Sequence, residues 1–358
     1  MLTLYFNRSF SATSFLIRSL RQRWRGEELQ IIISHGREDP YLREVADHFE
    51  LEPKAKGESY FDYVFEVCKR HKVDVFFPRK HVTYLASHRD RFDRIGVKVA
   101  FVGEHHIYEL FDHKLRASEA LGGQNILEIP ETSLVSDYKT FHQEYERIRE
   151  SPLVPDSSSL ETVCLKPNIG IGGKGFMRIA HQRTAFEDLF RESIHSISFT
   201  RLDQALRDAD PFPELLLATY LNGLEVSVDC IGNKGQLLAA YPRIYVNKYE
   251  QRFDDYPELT DICRAICQTY KLSYLFNVQF KQHHGRWFFI ELNTRSAAGA
   301  HRLCSLKVCP LSAALNLCLD QSIDQPLDIE WGSVVRRVET YEGCTVFPQD
   351  YQISGPEA

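Results

Sequence analysis

The order of elements predicts an α/β domain followed by a mainly antiparallel α+β unit, and three observations carry that reading. Over residues 1–105, short apolar strands alternate with helical patterns, as in a parallel sheet covered on both faces. Beyond about residue 160 the strands follow one another too closely for helices to intervene, which makes them antiparallel. Between the two lies a stretch rich in proline and serine, residues 151–159, which reads as a loop or linker.

In the first region strands are expected at 2–6, 29–34, 73–78 and 97–102, with helices near 12–23, 41–49, 60–71 and 81–92. Residues 1–25 hold no acidic residue and five arginines, a composition that also resembles an organelle transit peptide. The strand–loop–helix pattern that runs directly into the strand at 29–34 favours the first elements of a sheet. Residues 110–150 read as helical, with breaks at Gly122-Gly123 and Ile129-Pro130. Strands are then expected at 162–166, 176–180, 214–220, 225–231, 236–246, 275–281 and 286–293.

Composition excludes several classes. With 43% hydrophobic and 26% charged residues the chain is a globular protein of 358 residues, with no apolar run long enough to span a bilayer. A net charge of -6 provides no general field for nucleic acid or an anionic membrane, so an anionic ligand needs a local cluster of cations. Nine scattered cysteines, an odd number, suggest reduced thiols and a cytoplasmic protein. Cys263 with Cys267 and Cys304 with Cys309 lack the partners a zinc site needs, and are expected as structural thiols.

Two constellations carry chemistry. In the first, a strand ends at Lys166-Pro167 and four glycines (Gly170, Gly172, Gly173, Gly175) turn the chain back into a second strand. Such a turn lets several backbone N–H groups approach one anion, and Lys166 beside it points to a triphosphate flap. It is neither a Walker A loop nor a dinucleotide fingerprint, since a strand and not a helix follows. In the second, Asn277-Val-Gln279 precedes a turn at His283-His284-Gly285, and Glu291-x-Asn293-x-Arg295 follows. Residues two apart on a strand share a face, so Glu291, Asn293 and Arg295 project together while Ile290 and Leu292 face the core. One carboxylate and amide oxygens suit a hard divalent cation. Arg295 is suited to charge that develops on a transferring phosphoryl group. Gln279 joins Glu291 on one face only if the connecting loop has an odd number of residues or the ladder carries a bulge; the odd loop is the expectation. His283 and His284 are expected in a solvated turn.

At these residues the sequence resembles the ATP-grasp superfamily, which includes biotin carboxylase, the large chain of carbamoyl phosphate synthetase and D-alanine–D-alanine ligase. Its arrangement also looks like the ATP-grasp proteins encoded with tellurite-resistance (Ter) operons. The resemblance implies a pre-ATP-grasp α/β domain at 1–110, a first ATP-grasp half at 111–220 with the Gly-rich flap, and a second half at 221–358. It implies that Lys114 and Lys166 contact phosphates and that Gly172, Gly173 and Gly175 lie over the triphosphate. The backbone of Ala218, Thr219, Tyr220 and Leu221 is expected to read the adenine edge, although this hinge lacks the family's usual Glu. Glu225 is expected at the ribose, and Gln279, Glu291 and Asn293 at one or two Mg²⁺ ions, with Mn²⁺ as a substitute. Gln279 stands where an acid is usual, which makes the metal site less charged. Arg243 and Arg295 are expected at the γ-phosphate or acyl phosphate, and His301 and Arg302 near the acceptor. The implied activity is ligation of a small carboxylate to an amine or related nucleophile through an acyl phosphate, by a monomer or homodimer. Other readings are an ATP-binding regulatory or scaffold protein without turnover, and a transferase-like enzyme for a phosphate-bearing acceptor.

Overall fold

The computed structural model describes residues 1–123, 127–153, 161–169, 175–184, 186–190, 194–247 and 249–338. Gly170, Gly172 and Gly173 and the segment 339–358 therefore lie outside the described residues. Among the described residues no helix is long and apolar enough to cross a membrane.

Residues 2–99 form a parallel sheet from β1 (Leu2–Asn7), β2 (Leu29–His35), β3 (His48–Leu51), β4 (Val75–Phe77) and β5 (Lys98–Val99), in the order β3-β2-β1-β4-β5. Alternate side chains face opposite layers. Tyr5, Ile32 and Phe76 pack with Phe61 and Val64 of the helix Glu58–Arg70. Leu4, Phe6, Ile31 and Ile33 pack with Leu16 and Leu20 of the helix Thr13–Arg23 and with Leu311 and Leu315 of the helix Pro310–Cys318. The arginine-rich start of the chain thus builds the central strand and its covering helix.

Two expectations in this region change. The helix near 41–49 is only Pro40–Val45, capped by Asp39, and the chain then enters β3. Asp47 ends it: its carboxylate accepts from the Ile31 N–H at 2.6 Å, and its own N–H donates to the Ile31 carbonyl at 2.9 Å, which ties the chain to the sheet edge. The helix near 81–92 is two short ones, Val82–Ala86 and Arg89–Arg94, broken where the Ser87 hydroxyl donates to the Tyr84 carbonyl.

The second sheet comprises β6 (Thr132–Val135), β7 (Glu161–Pro167), β8 (Met177–Ala180), β9 (Ser196–Ser198) and β10 (Leu215–Thr219), in the order β6-β10-β7-β8-β9. β6, just after the break expected at Ile129-Pro130, is a strand in a region otherwise expected to be helical, because Thr132–Val135 pairs antiparallel with the apolar run of β10. The third sheet, with order β15-β14-β11-β12-β13-β16, joins β11 (Glu225–Asn233), β12 (Gln236–Tyr245), β13 (Glu250–Phe253), β14 (Tyr274–His283), β15 (Arg286–Asn293) and β16 (Ser333–Arg336). One face buries Val226, Val228, Phe276, Val278 and Phe280 against Leu259, Cys263 and Ile266 of the helix Pro257–Thr269. On the other face Ile231, Tyr241 and Phe253 pack with Leu303, Val308 and Ala313. The rest of that second face is polar, and it holds the site.

Candidate functional site

The β14–β15 hairpin decides which side chains can meet. Its turn is the two-residue His284-Gly285, both with positive φ (47° and 75°), as a tight primed turn requires. The odd loop is therefore not found. Such a turn alone would pair Gln279 with Ile290 and put Gln279 and Glu291 on opposite faces. A bulge intervenes: Phe280 pairs with Phe289, whereas Gln279 pairs with Glu291, so Ile290 is the extra residue. Ile290 is accordingly half-buried and not a core residue, and Phe289 and Leu292 fill the core face. His283 is also not solvated. It is 3% exposed, and its Nε2–H donates to the Leu153 carbonyl at 2.6 Å.

Two rows of polar residues result, each crossing the strands on one face. Glu291 (β15), Gln279 (β14), Ser227 (β11) and Arg243 (β12) are successive ladder partners. Asn293, Asn277 and Asp229 form the neighbouring row. The Asn293 amide donates to Glu291 Oε1 at 2.9 Å. The Asn277 amide donates to Ser227 Oγ and Asp229 Oδ1, each at 3.0 Å. Arg243 is 2% exposed and donates from Nε to Asp229 (3.1 Å), from Nη1 to Gln251 (2.8 Å) and from Nη2 to Ser227 (3.2 Å). A buried guanidinium and carboxylate are tolerable only when paired and hydrogen-bonded, and these are. Asp229 and Gln251 were not singled out in the sequence, because their role appears only once the strands are in register.

Lys166 on β7 and Lys114 on a helix packed against β15 bring cations to this face. Lys114 opens the helix Lys114–Gly123, and its N–H donates to the Asn168 carbonyl at 3.3 Å, beside the end of β7. Burial lowers the Lys114 pKa, Glu291 opposes that shift and Lys166 adds to it, so the two ammonium groups and the carboxylate share one space. Arg295 is half-buried; burial lowers its pKa while Glu291 and Asp112 raise it. Gly175 follows the flap with φ 78°, and a Cβ there would lie 2.9 Å from the Pro167 ring, so both conformation and space call for glycine.

The hinge sits beside this cluster. Ala218, Thr219 and Leu221 are buried, and Tyr220 is half-buried with the Lys281 ammonium 5.0 Å and the Arg178 guanidinium 5.6 Å from its ring centroid. Glu225 is exposed, 3.9 Å from Lys281. His301 lies in the loop beyond β15 and its Nδ1–H donates to the Ala298 carbonyl at 2.8 Å. Burial moves its pKa down to about 4, which leaves it neutral near pH 7. The same loop holds half-buried Arg302. Eight cysteines, Cys263, Cys267, Cys304 and Cys309 among them, are free thiols, and no group of three His, Cys, Asp or Glu among the described residues could hold a metal alone.

Residues 211–341 match the model of the family described as ATP-grasp in the biosynthetic pathway with Ter operon. The fold agrees along nearly the whole chain. The chain has the ATP-grasp fold. It is similar to the N5-carboxyaminoimidazole synthetase of Staphylococcus aureus complexed with ADP, with 14% identity and a TM-score of 0.65 over 93% of this chain and 80% of that one. It is also similar to the biotin carboxylase domain of the Hydrogenobacter thermophilus 2-oxoglutarate carboxylase, in complex with MgADP, ADP and bicarbonate. There the identity is 15% and the TM-score 0.62, over 93% of this chain and 73% of that one. The L-amino acid ligase of Bacillus licheniformis aligns at 11% identity and a TM-score of 0.59, over 89% and 74%. No curated protein matches the sequence.

Proposed function

We propose that this ATP-grasp protein is an ATP-dependent ligase that activates a carboxylate as an acyl phosphate and passes the acyl group to an amine or related nucleophile. The observation that supports it best is the pairing of Gln279 with Glu291 and of Asn277 with Asn293, opposite Lys114 and Lys166. Oxygen donors from one sheet meet cations from the helix Lys114–Gly123 and from β7, as transfer of a γ-phosphoryl group demands.

The donor set fits magnesium, which typically takes one or two carboxylates and completes its shell with phosphate oxygens and water. Glu291, Gln279 and Asn293 would hold Mg²⁺ (or Mn²⁺), which when bound neutralises charge on the phosphates. Lys114 and Lys166 draw the phosphate oxygens, with Gly172, Gly173 and Gly175 over them. Arg295 faces the oxygens on which charge develops, and Arg243, with three of its five donors bonded below, has two left for the same anion. In the hinge, the Thr219 and Tyr220 N–H groups already donate to the Glu131 and Thr162 carbonyls, and Ala218 pairs with Cys164 in the ladder. The backbone donor to the adenine edge is therefore assigned to Leu221, with Glu225 at the ribose hydroxyls.

In the reaction, a substrate carboxylate oxygen attacks the γ-phosphorus, and the bond to ADP breaks with the electron pair leaving on ADP. The nucleophile then attacks the acyl carbon, phosphate departs, and the nucleophile's proton is released. The protein's part is positioning and charge neutralisation. The pre-ATP-grasp domain is assigned to 1–110 and the clamp halves to 111–220 and 221–358. The test is phosphate release from ATP across a library of amino acids and other carboxylates, with mass spectrometry of any adduct. ATP that binds but is never turned over with any of them, at saturating acceptor, overturns the ligase in favour of a binding protein.

A further inference from the structure

The parallel sheet has a cleft of its own that opens toward the end of β15. In the order β3-β2-β1-β4-β5 the chain runs outward one way from β1 and the other way from β4. Such a reversal leaves a crevice between the loops at the carboxyl ends of those two strands. Here the loop after β1 carries Phe10, and the loop after β4 carries Arg79. They meet: the Arg79 guanidinium lies 3.5 Å from the Phe10 ring centroid, and Arg295 lies 5.6 Å from the same centroid on the clamp side. Arg79 Nη1 donates to the Ser296 carbonyl at 3.1 Å, whereas Arg79 Nη2 is sealed from solvent without a hydrogen-bond partner.

The cavity at this point is bounded by Phe6, Phe10, Phe77 and Tyr274, with Arg79 and Arg295 in its wall. Its volume of about 80 Å³ is several times the ~10–15 Å³ that admits one water, so it takes a group of several atoms and not a nucleotide. No carboxylate lines it among the described residues, and His301, the remaining titratable group there besides its tyrosines, is neutral. Burial lowers the Arg79 pKa, and the Arg295 charge lowers it further, with no acid to offset either. An unpaired buried donor on a cation is costly, and an anion is what would satisfy it.

We propose that this cavity is the acceptor-substrate site, and that it takes an anionic head, carboxylate or phosphate, carried on an apolar body, with Arg79 as the head's binding residue and Phe10 against the body. The proposal rests on the ligase reading only for calling the occupant a substrate; the binding chemistry is independent of it. Phenylacetate, phenyl phosphate, acetate and benzylamine are titrated into the full chain by saturation-transfer NMR, and ADP with Mg²⁺ is titrated separately by calorimetry. At least one aryl anion is expected to bind, more tightly than acetate, and benzylamine is not. The tighter of phenylacetate and phenyl phosphate identifies the head. Arg79→Gln should weaken that anion at least tenfold while Arg79→Lys recovers part of the loss, both with wild-type ADP affinity, which also certifies the fold. Benzylamine binding as well as the anions, or anion affinity unchanged in Arg79→Gln, overturns the site. ADP binding without any anion binding removes this inference and leaves the ligase reading; anion binding without ADP binding does the reverse.

Discussion

Across the cleft, the β11–β16 sheet and the β6–β10 sheet bring their polar groups to the same place by different means. On β11–β16 the polar face is bonded to itself: Asn293 to Glu291, Asn277 to Asp229 and Ser227, Arg243 to Asp229, Ser227 and Gln251. On β6–β10 the contribution is Lys166, one ladder position opposite Leu216, whose ammonium makes no hydrogen bond or ion pair among the described residues. One side is preorganised by its own network and gains stability from it. The other holds a charge whose partner would arrive with the ligand. Polar residues of equal prominence in the sequence therefore differ in what they do, and substitutions should separate the two sides.

The largest effect is expected at the buried pair. Arg243→Met leaves Asp229 charged and unpaired in a site only 5% exposed, and should cost about 3–5 kcal/mol in chemical denaturation. A loss below about 1 kcal/mol would show that the network does not hold this sheet together. Next comes Glu291→Gln, which can still accept from Asn293 and so should keep wild-type stability. Turnover should fall roughly a hundredfold or more, by comparison with the loss of one preorganised charge-stabilising group. A wild-type rate at ordinary magnesium refutes its place at the metal. Lys166→Ala, on the opposite sheet, should change stability by less than about 0.5 kcal/mol but weaken ATP by roughly tenfold or more, as loss of a charge-assisted contact does. Calorimetry that finds nucleotide affinity intact and the fold destabilised would invert the comparison.

A further effect is set by pH. His301 has a pKa of about 4 in the folded chain, below the ordinary value near 6.5. Above about 6.5 it is neutral in both states; below that the unfolded chain takes a proton the folded one refuses, so stability falls from pH 6.5 toward 4. Between pH 7.5 and 5 this amounts to about 2 kcal/mol, and His301→Gln should flatten that part of the urea-midpoint profile. An unchanged slope would mean His301 titrates near its ordinary value.

Much of this was legible in the sequence because it is periodic. Period two put Glu291 and Asn293 on one face, although Arg295 lies in a bend past the end of β15, and strand–helix alternation marked the parallel sheet. What escaped depends on partners distant in sequence. β3 and β6 are four-residue strands that exist because Asp47 is held to Ile31 and because β10 offers an edge. Asp229 reads as an ordinary residue of β11 until Arg243 is placed beside it. Phe10 and Arg79 are 69 positions apart and meet only where β1 and β4 are neighbours.

The bulge at Ile290 is a one-residue phase shift written into the hairpin. A hairpin with a three-residue turn and a straight ladder would place its acid opposite residue 279 just as well, with the spare residue at the tip instead of in the strand. An ungapped alignment of the two would still match the acids, but it would match residues 286–289 here to positions on the opposite face. Deleting Ile290 alone would straighten the ladder and keep Gln279 opposite Glu291, whereas deleting Leu292 would turn Asn293 to the core face. The spacing that matters here is counted in faces and not in residues.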